Sequence, residues 1–471
     1  MPVWPIALLL VSCATVQAAY PPLKHTGDPA RLGQNIQRSM ALMAGSTPAH
    51  RNTVRVLFYG QSITEQDWWH AVADDLRRRF PYANFVIENR ALGGFSSQLL
   101  VKTAETDLYA FYPDLMIFHV YGAHNTYEDI IRRTRERTTS EVLIQTDHVT
   151  ADADLNEETD ASKLRPDGKI WNSFMNYKFL PEIAARYGCA LVDQRNLWKQ
   201  YLRDNSVHAP ELLKDGVHQN AYGNFLMAEI VKSYLIRRTD TPVTPLNCST
   251  VRTLRMGTEI KWHAGRLTVP FTGNRVDLIT HSAAAVPAFI RIDGQRPSEM
   301  PELYGFTRAL ATPGGKWPVI LKLGSQALPQ LEDWTMNVTT DRAKPGRFTF
   351  TLAGSKTGPD GSGSSDAAFV SHSGRVVIDP ADWNVHYSLA LAGVKPVPDT
   401  FVVRFSSVGH FADKFTAPEP ADRTIETTVT IAQGLQNTNH VLEITGGEAA
   451  SFSAVRIYAP PVHSPDKPAG P

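Results

Sequence analysis

The sequence predicts a three-layer, doubly wound α/β domain with a parallel sheet, followed by an all-β region of sandwich type, jelly-roll-like in pattern. Three observations carry this expectation. Between residue 54 and about 237, short runs rich in β-branched and aromatic residues alternate with segments whose apolar residues recur at helical spacing. Those runs are apolar nearly throughout, as strands buried on both faces must be. Beyond the proline- and threonine-rich "RRTDTPVTPLNCST" the helical spacing stops, and runs alternate apolar with polar.

In order, the expected strands are "VRVLFYG", "NFVIENRA", "DLMIFHVYG", "EVLIQTDH" and "CALVDQ". The helices between them are "DWWHAVADDLRRRF", "YEDIIRRTRERT" and "MNYKFLPEIAARYG", and "NAYGNFLMAEIVKSYLIRR" closes the series. Alternation of this kind covers a sheet with helices on both sides. The second half offers "RLTVPF", "RVDLITH", "AFIRID", "PVILKL", "RFTFTLAG", "GRVVIDP", "TFVVRFSS", "TVTIAQ" and "HVLEIT" as strands. One sandwich with an insertion and two smaller units both fit these runs. "GSKTGPDGSGSSD", residues 354–366, reads as a flexible loop. The expected division is signal peptide 1–18, extension 19–51, α/β domain 52–237, linker 238–252, β region 253–461 and disordered tail 462–471.

At 471 residues the chain exceeds one ordinary core. Its 47 basic residues balance 47 acidic ones, which removes any general electrostatic case for nucleic acid or an anionic membrane as partner. The opening "MPVWPIALLLVSCATVQAAY" has a short apolar run and a small-residue cleavage pattern, read as a cleaved secretory signal. The expected location is therefore secreted or periplasmic. "LVSC", ending at Cys13, also resembles a bacterial lipoprotein box, so a lipid anchor there is the alternative. The run is too short to span a bilayer, and no later segment is apolar enough. Only Cys189 and Cys248 follow the signal, too few for a disulfide framework. Cys189 reads as buried and inert, and a Cys189–Cys248 bridge stays open.

In an open α/β sheet, chemistry gathers outside the carboxyl ends of the strands. Ser62 follows the first expected strand, Gly93 and Gly94 the second, and His124 and Asn125 the third; Asp215 and His218 precede the last helix. Serine needs a base to take its proton, and histidine needs a carboxylate to fix its tautomer. An oxyanion needs preorganised donors, for which the Ser62 N–H, the Gly94 N–H and the Asn125 amide are suitable. A purely structural account is also available, with Ser62 as a helix N-cap and Gly60 making the turn. His119 reads as a satisfied buried strand residue, whereas Asp147 and His148 end the fourth strand at the active edge, where contact with substrate and a structural hydrogen bond are both open, the second favoured. Trp68 and Trp69 read as packing residues. "DADLNEETD", starting at Asp152, lacks the glycine and the closing glutamate of a calcium loop and reads as solvated. The polar stretch 149–172 reads as a rim or lid. With no zinc-protease helix, P-loop or dinucleotide fingerprint, neither metal nor cofactor is expected.

"GQSIT", "NRALGG", an asparagine after the third strand and "DGVHQNAYG" resemble the four signature blocks of the SGNH (GDSL-type) esterase superfamily, over roughly residues 52–237. The resemblance implies Ser62, His218 and Asp215 as the catalytic set, with Ser62, Gly94 and Asn125 forming the oxyanion hole. Gln61 departs from the family's usual aspartate, as in some sialate and carbohydrate acetylesterases. Gly122 and Asn125 stand one residue further apart than the family's Gly-x-Asn, which makes His124 an alternative donor. Gln61, His124 and His148 are candidate substrate contacts. Gly-x-Ser-x-Gly is absent, so this is not an α/β-hydrolase nucleophile elbow. The implied function is a secreted serine esterase that removes O-acetyl groups from carbohydrate, its partner being an acylated carbohydrate or another small ester. Two other classes are a broad lipase, arylesterase or thioesterase, and a non-catalytic polysaccharide-binding protein with a degenerate esterase domain. In the β region Trp262, Trp317, Trp334 and Trp383 suit either sugar binding or a core.

Overall fold

A computed structural model describes residues 20–166, 171–280, 286–447 and 452–462. The expected signal peptide, the lipoprotein cysteine Cys13 and nearly all of the expected tail lie outside the described residues.

Five strands, β1 (Thr53–Gly60), β2 (Asn84–Asn89), β3 (Leu115–His119), β4 (Glu141–Gln145) and β5 (Ala190–Val192), form a parallel sheet in the order 2-1-3-4-5. The alternation of β1 shows why it is covered twice. Val54, Val56 and Phe58 enter the core shared with helices Trp68–Arg79, Gln194–Asn205 and Ala221–Tyr234. Leu57 and Tyr59 enter the opposite core, with helices Ser97–Ala104, His124–Arg137 and Leu180–Tyr187. A strand apolar on both faces can only be satisfied by a layer on each. The strand order reverses between β1 and β3, the place where open α/β sheets gather their ligands. At that point a Cβ on Gly60 would sit 2.0 Å from the His119 carbonyl oxygen, so only glycine fits.

The expected strands and helices of this half are present. Helices Gln37–Ala44, Ser97–Ala104 and Gln194–Asn205 carry no clear signal in the sequence. The first two span about two turns, too few for a period to show. The third places Arg195 and Lys199 on its buried face, which breaks the apolar pattern. Gln37–Ala44 belongs to the stretch set apart as an extension, yet Met40 and Leu42 join the α/β core and Arg38 pairs with Asp114 at 2.9 Å.

In the second half, one six-stranded antiparallel sheet is built from residues 251–292 and 414–458, and another from residues 304–409. The second is thus inserted between Ala288–Ile292 and Lys414–Phe415 of the first. Each has its own core, one around Leu278, Ile290 and Leu442, the other around Trp334, Phe350 and Val403. The choice left open by the sequence resolves as one sheet interrupted by a second unit.

Two expectations are corrected here. The expected loop 354–366 contains the strand Gly358–Ser364, paired with Phe348–Gly354. Its glycines let the backbone lie flat on aromatic rings; a Cβ on Gly363 would meet Phe350 and Phe369 at 2.8 Å. "PVILKL" is not a strand. Ile320 makes only isolated bridges to Ala309 and Trp383, and Leu321 packs instead into the core of the α/β domain. Docking has taken the place of pairing.

Cys189 and Cys248 are both free. Burial pushes the Cys189 thiol up to about 12, in keeping with an inert residue. Among the described residues no helix is long and apolar enough to cross a membrane.

Candidate active site

Ser62 is the first residue of the short helix Ser62–Glu65, which begins where β1 ends. Gln61 occupies the N-cap position, and its carbonyl accepts the Thr64 and Glu65 N–H groups at 2.8 and 3.2 Å. The Ser62 hydroxyl caps nothing, so the N-cap role read for it in the sequence falls to Gln61 instead. The hydroxyl meets His218, with Nε2 and Oγ 2.8 Å apart.

His218 Nδ1 lies 2.9 and 3.1 Å from the two carboxylate oxygens of Asp215. Asp215 Oδ1 also accepts the backbone N–H of His218 at 2.7 Å and of Val217 at 2.9 Å. These bonds, the His218 N–H foremost, hold the Asp215 carboxyl down to about 2. An ionised Asp215 selects the tautomer with the proton on Nδ1, leaving Nε2 as the acceptor facing the serine hydroxyl. Both side chains are open to solvent, Asp215 being 51% and His218 32% exposed.

Sequence reasoning missed the parts that hold this pair in register. The Gln66 amide, one turn past Ser62, donates to the Gln219 carbonyl at 2.8 Å and accepts the Gln219 N–H at 3.2 Å. Asn224 Oδ1 accepts the Trp68 N–H at 3.2 Å. Polar side chains beside the serine and histidine blocks are the only signal that could have marked them. Trp68 is fully buried with its indole N–H on the Ile63 carbonyl, and Trp69 is half-buried, as expected of packing residues.

His148, offered above as a substrate contact, lies instead beneath the histidine loop. It is fully buried, and its Nε2 donates to the Val217 carbonyl at 2.8 Å. Burial lowers its pKa to about 4, so the neutral ring is the folded form. His119 is buried as expected but not satisfied: Nε2 lies 3.2 Å from Asp147, and neither ring nitrogen makes a hydrogen bond among the described residues.

The glycine loop is tied to the end of β1 through its backbone: the Leu92 N–H donates to the Gly60 carbonyl at 2.9 Å. Gly94 has φ +81°, a conformation glycine adopts readily. Among the described residues neither the Ser62 N–H nor the Gly94 N–H has an acceptor. Asn125 lies exposed in the first turn of helix His124–Arg137, and its amide bonds to nothing there. His124 does not join the group. Its ring packs among Trp171, Phe174 and Phe179 at centroid distances of 5.5, 5.1 and 4.6 Å, an apolar setting that lowers its pKa. Gln61 is half-buried, with no side-chain bond.

The acidic stretch from Asp152 is not simply solvated. Glu157 accepts from Arg195 at 2.5 and 2.7 Å and from Lys199 at 2.6 Å, and Asp152 accepts the Ala209 N–H at 2.8 Å. Buried cations need carboxylate partners, and this stretch supplies them. Among the described residues no group of three or more His, Cys, Asp or Glu side chains is arranged to hold a metal ion.

No family model and no curated protein matches the chain. Solved structures do. A two-domain esterase active on acetylated mannans, co-crystallised with mannopentaose, aligns over 92% of this chain and 98% of its own at 13% identity, TM-score 0.35. A putative GDSL-like lipase from Parabacteroides merdae aligns over 40% of this chain and 98% of its own at 17% identity, TM-score 0.32. An acetylxylan esterase from Geobacillus stearothermophilus aligns over 40% of this chain and 96% of its own at 15% identity, TM-score 0.33. Likenesses this distant leave the functional reading to the chain's own geometry.

Proposed function

We propose that the protein is a serine esterase in which Ser62 is the nucleophile, His218 the general base and Asp215 the residue that orients it. As Ser62 Oγ attacks an ester carbonyl, its proton passes to His218 Nε2, and the imidazolium is stabilised by Asp215. The oxyanion of the tetrahedral intermediate is taken by the Ser62 and Gly94 N–H groups, with Asn125 as a third donor. Collapse expels the alcohol, which takes the proton back from His218 and leaves an acyl-enzyme. Water activated by His218 then releases the acid.

The observation that carries the reading is the continuous relay from Asp215 through His218 to Ser62, at 2.9 and 2.8 Å. As substrate we propose O-acetyl groups on carbohydrate. The half-exposed site admits a bulky alcohol portion, and the secretory signal read in the sequence suits an extracellular polysaccharide.

The test compares wild type with Ser62→Ala for acetate release from a panel of acetylated polysaccharides and for hydrolysis of nitrophenyl esters of increasing acyl length. Wild type is expected to release acetate and to lose rate on longer acyl chains, and the variant to do neither. Equal release by both proteins sinks the nucleophile; a rate that rises with acyl length favours a lipase.

A further inference from the structure

The loop that carries Gly94 is clamped from outside the α/β domain. Leu92 to Phe95 is a tight turn closed by the Phe95 N–H on the Leu92 carbonyl at 3.0 Å, with φ +81° at Gly94. Almost every backbone polar group of the turn is paired. The Leu92 N–H donates to the Gly60 carbonyl at 2.9 Å, and the Gly93 N–H donates to Glu65 Oε1 at 2.7 Å. The Gly93 and Gly94 carbonyls are taken by the inserted β unit. Trp317 Nε1 donates to the Gly93 carbonyl at 2.8 Å, and the Tyr387 hydroxyl donates to the Gly94 carbonyl at 2.7 Å. Lys316 pairs with the same Glu65 oxygen that receives the Gly93 N–H. Of the four N–H groups in this turn, that of Gly94 has no acceptor among the described residues. Gly94 is exposed, so this N–H stands open to an incoming ligand oxygen.

The Gly93 carbonyl and the Gly94 N–H belong to one trans peptide plane, so they point in opposite directions. A donor fixed on that carbonyl therefore fixes the direction of the N–H, away from Trp317. It also polarises the amide, since bonds through one peptide group reinforce each other. We propose that Trp317, seconded by Tyr387, is a positioning residue for the oxyanion-binding Gly94 N–H, so that the inserted β unit completes the active site instead of serving as a detachable module. This rests on the esterase reading above. Docking of the unit is broad enough to hold the clamp: Leu321 and Leu391 pack on the α/β core, and Arg308 pairs with buried Asp107 at 2.7 Å.

The experiment uses the full chain with Tyr387→Phe, which deletes only the hydroxyl donor, and Trp317→Phe, which deletes the indole donor and also shrinks the ring packed on the α/β core. Kinetics on a short acyl nitrophenyl ester are read beside the affinity for methylboronic acid, whose tetrahedral serine adduct calls on the oxyanion donors. Deleting an oxyanion donor outright costs about 100- to 1,000-fold; a misaimed one is expected to lower kcat by roughly tenfold with KM within about twofold. Boronate affinity should fall by a similar factor while the thermal midpoint stays near wild type. Tyr387 is 43% exposed, so its variant reads the clamp even if Trp317→Phe folds poorly. Wild-type kcat and boronate affinity in Tyr387→Phe and in folded Trp317→Phe overturn the clamp and leave the esterase standing. Absence of Ser62-dependent turnover in wild type overturns both.

Discussion

His218 Nε2 and Ser62 Oγ are 156 positions apart in the chain and 2.8 Å apart in space. No local preference of either segment produces that meeting. It results from the loop after β1 and the loop before helix Ala221–Tyr234 being drawn to one edge of a parallel sheet. Each prediction below disturbs one part of that arrangement.

Ser62→Ala and His218→Ala should each lower kcat by roughly 10,000-fold or more, and the double variant should fall no lower than either single one. Groups that act as a unit do not add. Steady-state kinetics on an activated acetate ester would show it, and additive losses would mean that the two residues act apart.

Asp215→Asn should lower kcat by about 100- to 10,000-fold with little change in thermal stability, because the amide no longer selects the Nδ1–H tautomer. The wild-type carboxyl is held down to about 2, so it loses its charge only as pH approaches 2. A step in kcat/KM at the ordinary carboxylate range near pH 4 that vanishes in Asp215→Asn would contradict this.

Gly94→Ala combines a left-handed backbone with a Cβ that would lie 2.9 Å from Leu391 and 3.1 Å from the Tyr387 hydroxyl. Such strain costs about 1–3 kcal/mol, and any relaxation turns the N–H off its axis. Differential scanning calorimetry should show a lower transition temperature, and kcat should drop about tenfold or more. An unchanged kcat would remove Gly94 from the oxyanion site.

His148 couples stability to pH. Its folded pKa, about 4, lies below the ordinary 6.5 chiefly through burial; His119 and Arg195 add to the lowering, while Asp147 and the Val217 carbonyl oppose it. The unfolded chain therefore binds the extra proton first. The contribution is fully present above pH 6.5 and is lost as pH falls from 6.5 through about 4, to a total of about 3 kcal/mol. Urea denaturation at pH 7 and pH 4.5 should show a smaller difference for His148→Gln than for wild type. Identical differences would place the pH dependence elsewhere.

Gln66→Leu removes both bonds between the serine helix and the histidine loop, worth about 1–3 kcal/mol together. Looser alignment of Ser62 with His218 should lower kcat several-fold. A crystal structure of the variant with the 2.8 Å contact intact, together with wild-type kcat, would assign Gln66 to packing only.

Local pattern sufficed wherever it was long and consistent with burial. β1 is apolar on both faces, Ala221–Tyr234 carries its Asn220 cap, and Asp215 and His218 are close enough for one loop to hold both. It failed where a tertiary partner overrode it. Gly358–Ser364 looks like a linker until aromatic faces beneath it make glycine the residue that fits. His148 and His124 stand beside predicted strand ends, but one turns under a loop and the other into a cluster of rings.

The sequence by itself determined the two architectures and the residue types able to perform acyl transfer, because periodicity and short-range spacing are properties of the chain alone. Only the tertiary structure decided that the 304–409 unit is inserted, that Gln66 ties the two loops, and that Trp317 reaches the Gly93 carbonyl across 224 positions. Such contacts join segments whose separate sequences carry no record of each other; they exist once burial of the two sheets' apolar faces has fixed where each loop must end.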